Sequence, residues 1–388
     1  MIVAIYSGVI PSTVFIENLI KGLAEKGCRI VLFGVRKQKI AYGKDIKQYI
    51  VPQNRIGLLF YVLIQMIKLA GVRTNNLKLL AKHLKNTGNL LNIRLWAKYL
   101  PVVNNRPDIF HIQWAKSIGE WIFLKTYFGV KIVVSFRGAH INYSPIVDSK
   151  LAMTYHKLLK EVDYIHAVSK AILRNGLRFG ADISKSTIIY PSVSSYLLER
   201  PLCQKEIGKT LNILSVGRNH WKKGYRVALD CFSILKTKNI DFHYTIVGVV
   251  ASEELIYQIE ALGISENITL IGALPHDEVL NLYSKADIFL LPSFEEGVAN
   301  VALEAMALGT PVISTDCGGM TEVIKHNING WIVPIRNPLI MAMQIAAFLN
   351  YTPAQIQSIK NNARESIRTN HLLEQQIDSM LNVYKSII

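Results

Sequence analysis

The stretch Ile288-Phe-Leu-Leu-Pro-Ser-Phe-Glu-Glu-Gly-Val-Ala-Asn-Val-Ala-Leu-Glu-Ala-Met-Ala-Leu-Gly-Thr-Pro-Val-Ile-Ser-Thr-Asp-Cys-Gly-Gly319 decides the fold class. Its first four residues are an unbroken apolar run, the pattern of a strand covered on both faces. A polar loop with Glu295 and Glu296 follows, and residues 300–308 are helix formers closed by Gly309, a natural helix stop. A second short strand at 311–314 then ends in Asp316-Cys-Gly-Gly319. Strand, loop, helix and strand at this spacing require parallel strands joined by a crossover helix.

Working outward, the same unit recurs. In the second half, strands at 211–216, 244–247, 268–271, 288–291 and 311–314 alternate with helices at 225–236, 253–262, 277–284 and 300–308. The first half opens with a strand at 1–7, a turn at 8–12, a helix at 13–25 and a strand at 29–34. Further strands are expected at 109–112, 131–136, 164–168 and 187–190. The pattern restarts after an aperiodic stretch, so the chain reads as α/β with two Rossmann-like doubly wound domains facing each other across a cleft. The expected division is a domain at 1–194, a linker at 195–209, a second domain at 210–369 and a C-terminal helix at 370–388 that packs back on the first domain. Tyr384 and Ile387-Ile388 give that helix an apolar face.

Composition narrows the function classes. The 388 residues are 50% hydrophobic and only 19% charged, which excludes disorder and low-complexity classes. The formal charge of +16 is uneven: residues 1–200 hold 29 basic and 10 acidic side chains, and residues 201–388 hold 15 and 18. Between Ile46 and Pro107 there are ten Lys/Arg and no Asp or Glu. Such a surface attracts anions, and composition alone leaves nucleic acid, anionic lipid and phosphorylated substrate open. The nucleic-acid reading needs stacking aromatics or a reading helix beside the charge; neither is found, so no nucleic-acid partner is expected.

Cys28, Cys203, Cys231 and Cys317 are scattered, with no finger spacing, which favours a reducing cytosol over a disulfide framework or a zinc site. The N-terminus lacks a basic region followed by a long apolar core and reads as a strand rather than a leader. The apolar run 56–67 falls well short of the ~20 residues that span a bilayer. Export and integral insertion are not expected; the expectation is a cytoplasmic protein, with peripheral attachment to the inner face of the cytoplasmic membrane left open. The apolar Phe60, Tyr61, Leu63, Ile64, Ile67 and Leu69, followed by Lys78, Lys82 and Lys85, suit shallow docking on an anionic leaflet, and equally suit a core-facing helix with a solvated basic side.

In open parallel sheets, ligands bind beyond the carboxyl ends of the strands. Three loops of the second half carry chemistry there. Glu296 and Glu304 are carboxylates at the mouth and second turn of one helix, placed to accept from hydroxyl pairs of an extended polyol. The loop Val216-Gly-Arg-Asn-His-Trp-Lys-Lys-Gly224 offers Arg218 as a fork and Lys223 as a point charge toward a diphosphate. Gly318 and Gly319 permit backbone N–H groups to cradle an anion. Taken singly, each has a plainer reading: a helix-dipole charge, a basic surface turn and a tight turn. Together they describe a pocket for a diphosphate flanked by two sugars, a nucleotide-sugar. The sequence has no Asp-x-Asp near a strand end and no His/Asp/Glu cluster at metal spacing, so no cofactor and no metal are expected, and cations meeting the diphosphate would be Arg218 and Lys223.

These residues also resemble a known family. Pro292-Ser-Phe-Glu-Glu-Gly, Leu-Glu-Ala-Met-Ala-Leu-Gly-Thr-Pro-Val and Cys-Gly-Gly-Met-Thr-Glu-Val-Ile resemble the signature of glycosyltransferase family 4, the retaining GT-B enzymes of bacterial polysaccharide and lipopolysaccharide synthesis. Gly-Arg-x4-Lys-Gly at 217–224, Ile246-Val-Gly248, the segment 271–283 and Asn329-Gly-Trp-Ile-Val-Pro334 match in order. The resemblance implies Glu304 on the ribose hydroxyls, Glu296 on the donor sugar, and Arg218 and Lys223 at the diphosphate, with Gly217 and Gly297 among the donor-binding residues. It also implies Gly318 and Gly319 at phosphate or sugar and Ala273 and Leu274 near the base, with Arg218, Lys223 and Glu296 as the catalytic set. In the first half Pro107-Asp-Ile-Phe-His-Ile-Gln-Trp114 and Val134-Ser-Phe-Arg-Gly-Ala-His140 are similar to the family's acceptor-side segments. There Gln113 stands where a second His is common, and Arg137 and His140 replace the usual His and Asp. Gly8, His111, Arg137 and His140 are the acceptor-side candidates; a packed strand-end His111 and a turn-exposed His140 are the plainer readings.

The implied activity is retaining transfer of a sugar from a nucleotide-sugar to a glycan or lipid-linked acceptor in cell-surface polysaccharide or lipopolysaccharide synthesis. A small soluble acceptor, or a catalytically degenerate binding subunit, are the alternatives.

Overall fold

The computed structural model describes residues 1–202, 208–250 and 252–388. Two compact units divide the chain. One contains Met1–Val168, Ile172–Ile189 and Ile377–Ile388; the other contains Ser169–Ala171 and Tyr190–Gln376. Within the expected linker 195–209, residues 203–207 lie outside the described residues, and Tyr196–Glu199 is a short helix.

The first unit is built on β1 (Ile2–Ile10), β2 (Arg29–Arg36), β3 (Ile46–Ile50), β4 (Ile109–Ile112), β5 (Lys131–Phe136), β6 (Tyr164–Ala167) and β7 (Ser186–Ile188), all parallel in the order β3-β2-β1-β4-β5-β6-β7. The strand order reverses between β1 and β4, where Ile5 pairs with His111. Its central strands read as continuous apolar runs because both faces are covered: Ile109, Phe110, Ile132, Val133 and Val134 are fully buried. Tyr6, Tyr99, Phe110, Trp121 and Phe123 pack edge-on and tilted on one face, with ring centroids 4.6 Å apart for Phe110 and Trp121. Full burial of one such side chain contributes about 1.5–3 kcal/mol.

The second unit repeats the plan with β8 (Leu211–Val216), β9 (Phe242–Val247), β10 (Ile268–Ile271), β11 (Ile288–Leu291), β12 (Val312–Thr315) and β13 (Trp331–Val333), in the order β10-β9-β8-β11-β12-β13. Here the order reverses between β8 and β11, where Ile288 pairs with Ile213 and Phe289 with Leu214. The crossover helix Asn300–Leu308 buries Ala302, Leu303, Ala305, Met306, Ala307 and Leu308, and ends where Gly309 adopts φ +76°. A helix apolar on nearly every side must be packed on every side. Glu304 is its one acidic side chain.

Two strands escaped the sequence reading. The β3 segment Ile-Lys-Gln-Tyr-Ile is a sheet edge with only partial burial and no long apolar run. The three residues of β13 follow a turn at Asn329 and Gly330 and are too short to show a period. No helix among the described residues is long and apolar enough to cross a membrane.

Candidate active site

In the second unit the loops that leave the carboxyl ends of β8, β10, β11 and β12 are tied to one another. Lys223, in the turn after β8, places Nζ 2.7 Å from Oε1 of Glu296 in the loop after β11. Lys222 Nζ lies 3.5 Å from the other oxygen, and Ser293 Oγ donates to Oε1 at 3.1 Å. Backbone adds a second tie, because the Phe294 N–H donates to the Lys222 carbonyl at 2.7 Å.

Glu296 is 8% exposed. Burial pushes its carboxyl up, but the ammonium groups of Lys223 and Lys222 and the hydrogen bonds from Lys223 and Ser293 outweigh that and hold it below its ordinary range. It is therefore ionised at neutral pH. The sequence assigned Lys223 and Glu296 to different parts of a ligand; they form an ion pair with one another. Lys222 and Lys223 with the exposed Arg218 outnumber the carboxylates of Glu296 and the adjacent Glu295 by one, which leaves a positive surplus. His220 in the same turn registers that field: desolvation, then Arg218, Lys222 and Lys223, hold its imidazole below its usual value.

Two glycines make the close approach possible. A Cβ on Gly318, which has φ +53°, would fall 1.7 Å from the Glu296 carbonyl oxygen, and one on Gly224, at φ +69°, would fall 2.0 Å from the Pro292 carbonyl oxygen. Gly319 N–H donates to Gly297 O at 2.9 Å, so that amide braces the loop. Gly217 carries the end of β8 against Tyr225, whose hydroxyl donates to the Gly217 carbonyl at 2.8 Å.

Glu304 accepts from Tyr283 Oη at 3.2 Å and lies 3.1 Å from His276 Nε2. The Glu304 side chain is 17% exposed, and two partners leave lone pairs on both oxygens for further donors. The hydrogen bond to Glu304 is the chief reason the His276 imidazole is held above its ordinary value. Ala273 is exposed and Leu274 half-buried just beyond β10, three and two residues before the helix His276–Lys285, which is entered through Pro275. Lys222, Ser293, His276 and Tyr283 were not found by sequence reading. Lys222 stood beside Lys223, but that both lysines turn inward onto Glu296 depends on the 3₁₀ turn Trp221–Lys223.

In the first unit the acceptor-side candidates divide. His111 is fully buried inside β4. Its Nδ1 lies 2.6 Å from Tyr384 Oη and its Nε2 2.7 Å from Ser135 Oγ; Ser135 Oγ is 2.8 Å from His166 Nδ1, and His166 Nε2 donates to the Ile189 carbonyl at 2.9 Å. The chain is self-consistent with both imidazoles neutral: Tyr384 donates to His111, His111 to Ser135, Ser135 to His166. Desolvation drives both below the usual value, His166 to about 3. His111 thus has both ring nitrogens occupied and no exposed surface, and it welds Tyr384 of the helix Leu373–Ile387 to the sheet. Gly8 has φ +87° and sits where the β1–β2 register shifts.

Arg137 and His140 lie beyond β5, next to Gln113 and Trp114 beyond β4. Arg137 donates through one terminal nitrogen to Gln113 Oε1 at 2.6 Å, and its Cζ stacks 4.7 Å from the Phe15 ring centroid. Desolvation pushes the guanidinium down to about 10, still charged at neutral pH. His140 is half-buried, not turn-exposed; desolvation and then Lys116 push it down to about 4.

The model described as Glycosyl transferases group 1 matches residues 204–366, and the model described as Glycosyltransferase Family 4 matches residues 12–195. The chain is a family 4 glycosyltransferase. The amylovoran biosynthesis glycosyltransferase AmsK of Erwinia amylovora is 29% identical over 72% of this glycosyltransferase and 71% of its own length. WcaL of Escherichia coli K12, whose name assigns it to colanic acid biosynthesis, is 28% identical over 64% of the chain and spans 62% of its own length in the alignment. Among solved structures, Anabaena HepE in complex with UDP and glucose matches with a TM-score of 0.70 at 15% identity, covering 100% of both chains. The two doubly wound units of this glycosyltransferase are those of the GT-B fold.

Proposed function

We propose that this glycosyltransferase moves a sugar, with retention at the anomeric carbon, from a nucleotide-sugar to a glycan or lipid-linked acceptor during cell-surface polysaccharide synthesis. The observation that carries the donor half is the joined set of loops at the switch point of the second sheet: a positive surplus from Arg218, Lys222 and Lys223 beside Glu296, and Glu304 with free lone pairs. In this reading Arg218 and Lys223 meet the diphosphate, Glu304 takes the ribose hydroxyls and Glu296 orients Lys223 and faces the donor sugar. The reaction needs no divalent cation here, because the arginine and lysine offset the charge that develops on the leaving group. The bond from the anomeric carbon to the diphosphate breaks, the acceptor oxygen bonds to that carbon on the same face, and the acceptor proton passes to a diphosphate oxygen. The polysaccharide assignment is supported by the names that AmsK and WcaL carry. Thermal shift against UDP-, GDP-, ADP- and dTDP-sugars identifies the base, since a ligand of the native state raises Tm. The anomeric configuration of the product by NMR then tests retention, and an inverted product overturns that part.

A second observation favours work at the inner face of the cytoplasmic membrane. The helix Arg55–Asn86 buries Leu58, Val62 and Leu69, yet Ile56, Leu59, Phe60, Leu63, Ile64 and Ile67 are each at least 50% exposed. Their spacing of three and four residues makes one outward stripe. Lys68 and Arg73 follow it, and beyond a break in the helix at Arg73 (φ −151°, ψ 67°) come Lys78, Lys82 and Lys85, all exposed. A stripe this apolar flanked by cations suits an anionic leaflet.

A further inference from the structure

We propose that Arg137, Gln113 and His140 line a subsite for an acid group, a carboxylate or phosphate carried by one of the saccharide substrates. The inference rests on the donor-and-acceptor reading above and adds the chemical class of what is recognised. Three polar atoms at the carboxyl ends of β4 and β5 are buried without a partner: Arg137 Nε, Gln113 Nε2 and His140 Nδ1. Gln113 is fully buried, so its amide N–H groups cannot turn to water. Its other end is fixed, because Oε1 accepts from Arg137.

The cation is the decisive feature. No carboxylate among the described residues pairs with Arg137, which donates to the Gln113 amide, stacks on the Phe15 ring and lies near the neutral Tyr384, His111 and His166. A desolvated guanidinium without a counter-ion is costly, and unmet buried donors add to the cost. The same groups become favourable when an acid group arrives, since Arg Nε and the Gln113 amide both donate to oxygen and the guanidinium forks onto two oxygens at once. Aromatic walls keep the place dry: Trp114 meets Phe15 edge-on at 6.1 Å and the His140 ring at 5.3 Å. A neutral hydroxyl would satisfy one donor and leave the charge unmatched.

Calorimetric titration of the full chain with matched pairs tests this and identifies the source. The donor arm compares UDP-glucose with UDP-glucuronate and GDP-mannose with GDP-mannuronate. The acceptor arm compares methyl glucoside with methyl glucuronide and with glucose 6-phosphate. In one arm the acid member is expected to bind about tenfold tighter or more than its neutral twin. Arg137→Gln erases the difference and leaves UDP or GDP binding unchanged. Gln113→Glu, which hands the guanidinium an internal carboxylate, erases it with the arginine still present, so one misfolded variant does not hide the answer. Equal binding of both members in both arms overturns the proposal, as does discrimination that survives Arg137→Gln. Weaker UDP or GDP binding in Arg137→Gln also overturns it, by assigning the arginine to the diphosphate. Absence of any nucleotide binding by the wild type instead overturns the donor reading, and the methyl glucuronide titration still reports on the subsite.

Discussion

Lys223 and Glu296, 73 residues apart in sequence, meet at 2.7 Å and join the loops after β8 and β11. Sequence alone expects Lys223→Ala to cost turnover with the fold intact. The pairing adds a stability cost, since Lys223→Met leaves a buried carboxylate with Lys222 at 3.5 Å as its remaining cation. We predict a loss of about 1–3 kcal/mol in urea unfolding, with Lys223→Met/Glu296→Gln costing less than the sum of the two single variants. Strict additivity would remove the pairing from the account. The sign of the pH effect follows from the depressed Glu296 carboxyl: the contribution is present above its ordinary value of 4.5 and is lost as pH falls through the lower folded value.

Glu304→Ala removes the acceptor assigned to the ribose. Charge-assisted hydrogen bonds contribute about 1.5–3 kcal/mol, so nucleoside diphosphate affinity measured by calorimetry should fall at least about tenfold. Unchanged affinity would free Glu304 from that role and leave it as the partner of His276 and Tyr283.

The buried His111–Ser135–His166 chain makes the first unit acid-sensitive. Both imidazoles are neutral when folded, with pKa values depressed from 6.5, so unfolding takes up a proton at each site below that value. Stability is full above the unfolded value and is lost as pH falls toward the folded one. Between pH 7 and pH 5 His166 contributes a loss of about 2 kcal/mol, and His111 acts in the same direction. Urea midpoints at the two pH values measure it, and His166→Asn should flatten the dependence; an equally steep fall in that variant would contradict the assignment.

The exposed stripe of the helix Arg55–Asn86 predicts flotation with liposomes containing anionic lipid and weaker flotation as salt rises. Replacing Phe60 and Leu63 by Ser should lower bound protein at least about tenfold, by removing apolar burial in the leaflet. Binding that ignores both salt and these substitutions would leave the stripe without this function.

Most of the fold was legible because parallel strands covered on both faces write themselves as apolar runs, as at Ile288–Leu291 and Ile109–Ile112. The edge strand Ile46–Ile50 was not, because half-exposed edges carry no such run. At the site, residue types and loop positions were legible, whereas partners were not. Spacing placed Glu296 and Glu304 on one loop and helix, but it took the fold to bring Lys223 to one and His276 to the other. His111 shows the same limit in reverse: its motif pointed to a ligand contact, while the hydroxyl that occupies it belongs to Tyr384, 273 residues away.

We propose above all that the second unit holds a nucleotide-sugar with its diphosphate against Arg218. Release of nucleoside diphosphate from UDP-, GDP-, ADP- and dTDP-sugars, with water as acceptor, tests it without knowing the natural acceptor. Release from one nucleotide class is expected of the wild type, with a fall of about 10²–10³ in Arg218→Ala at unchanged Tm. A folded Arg218→Ala variant that releases the diphosphate at the wild-type rate would contradict it.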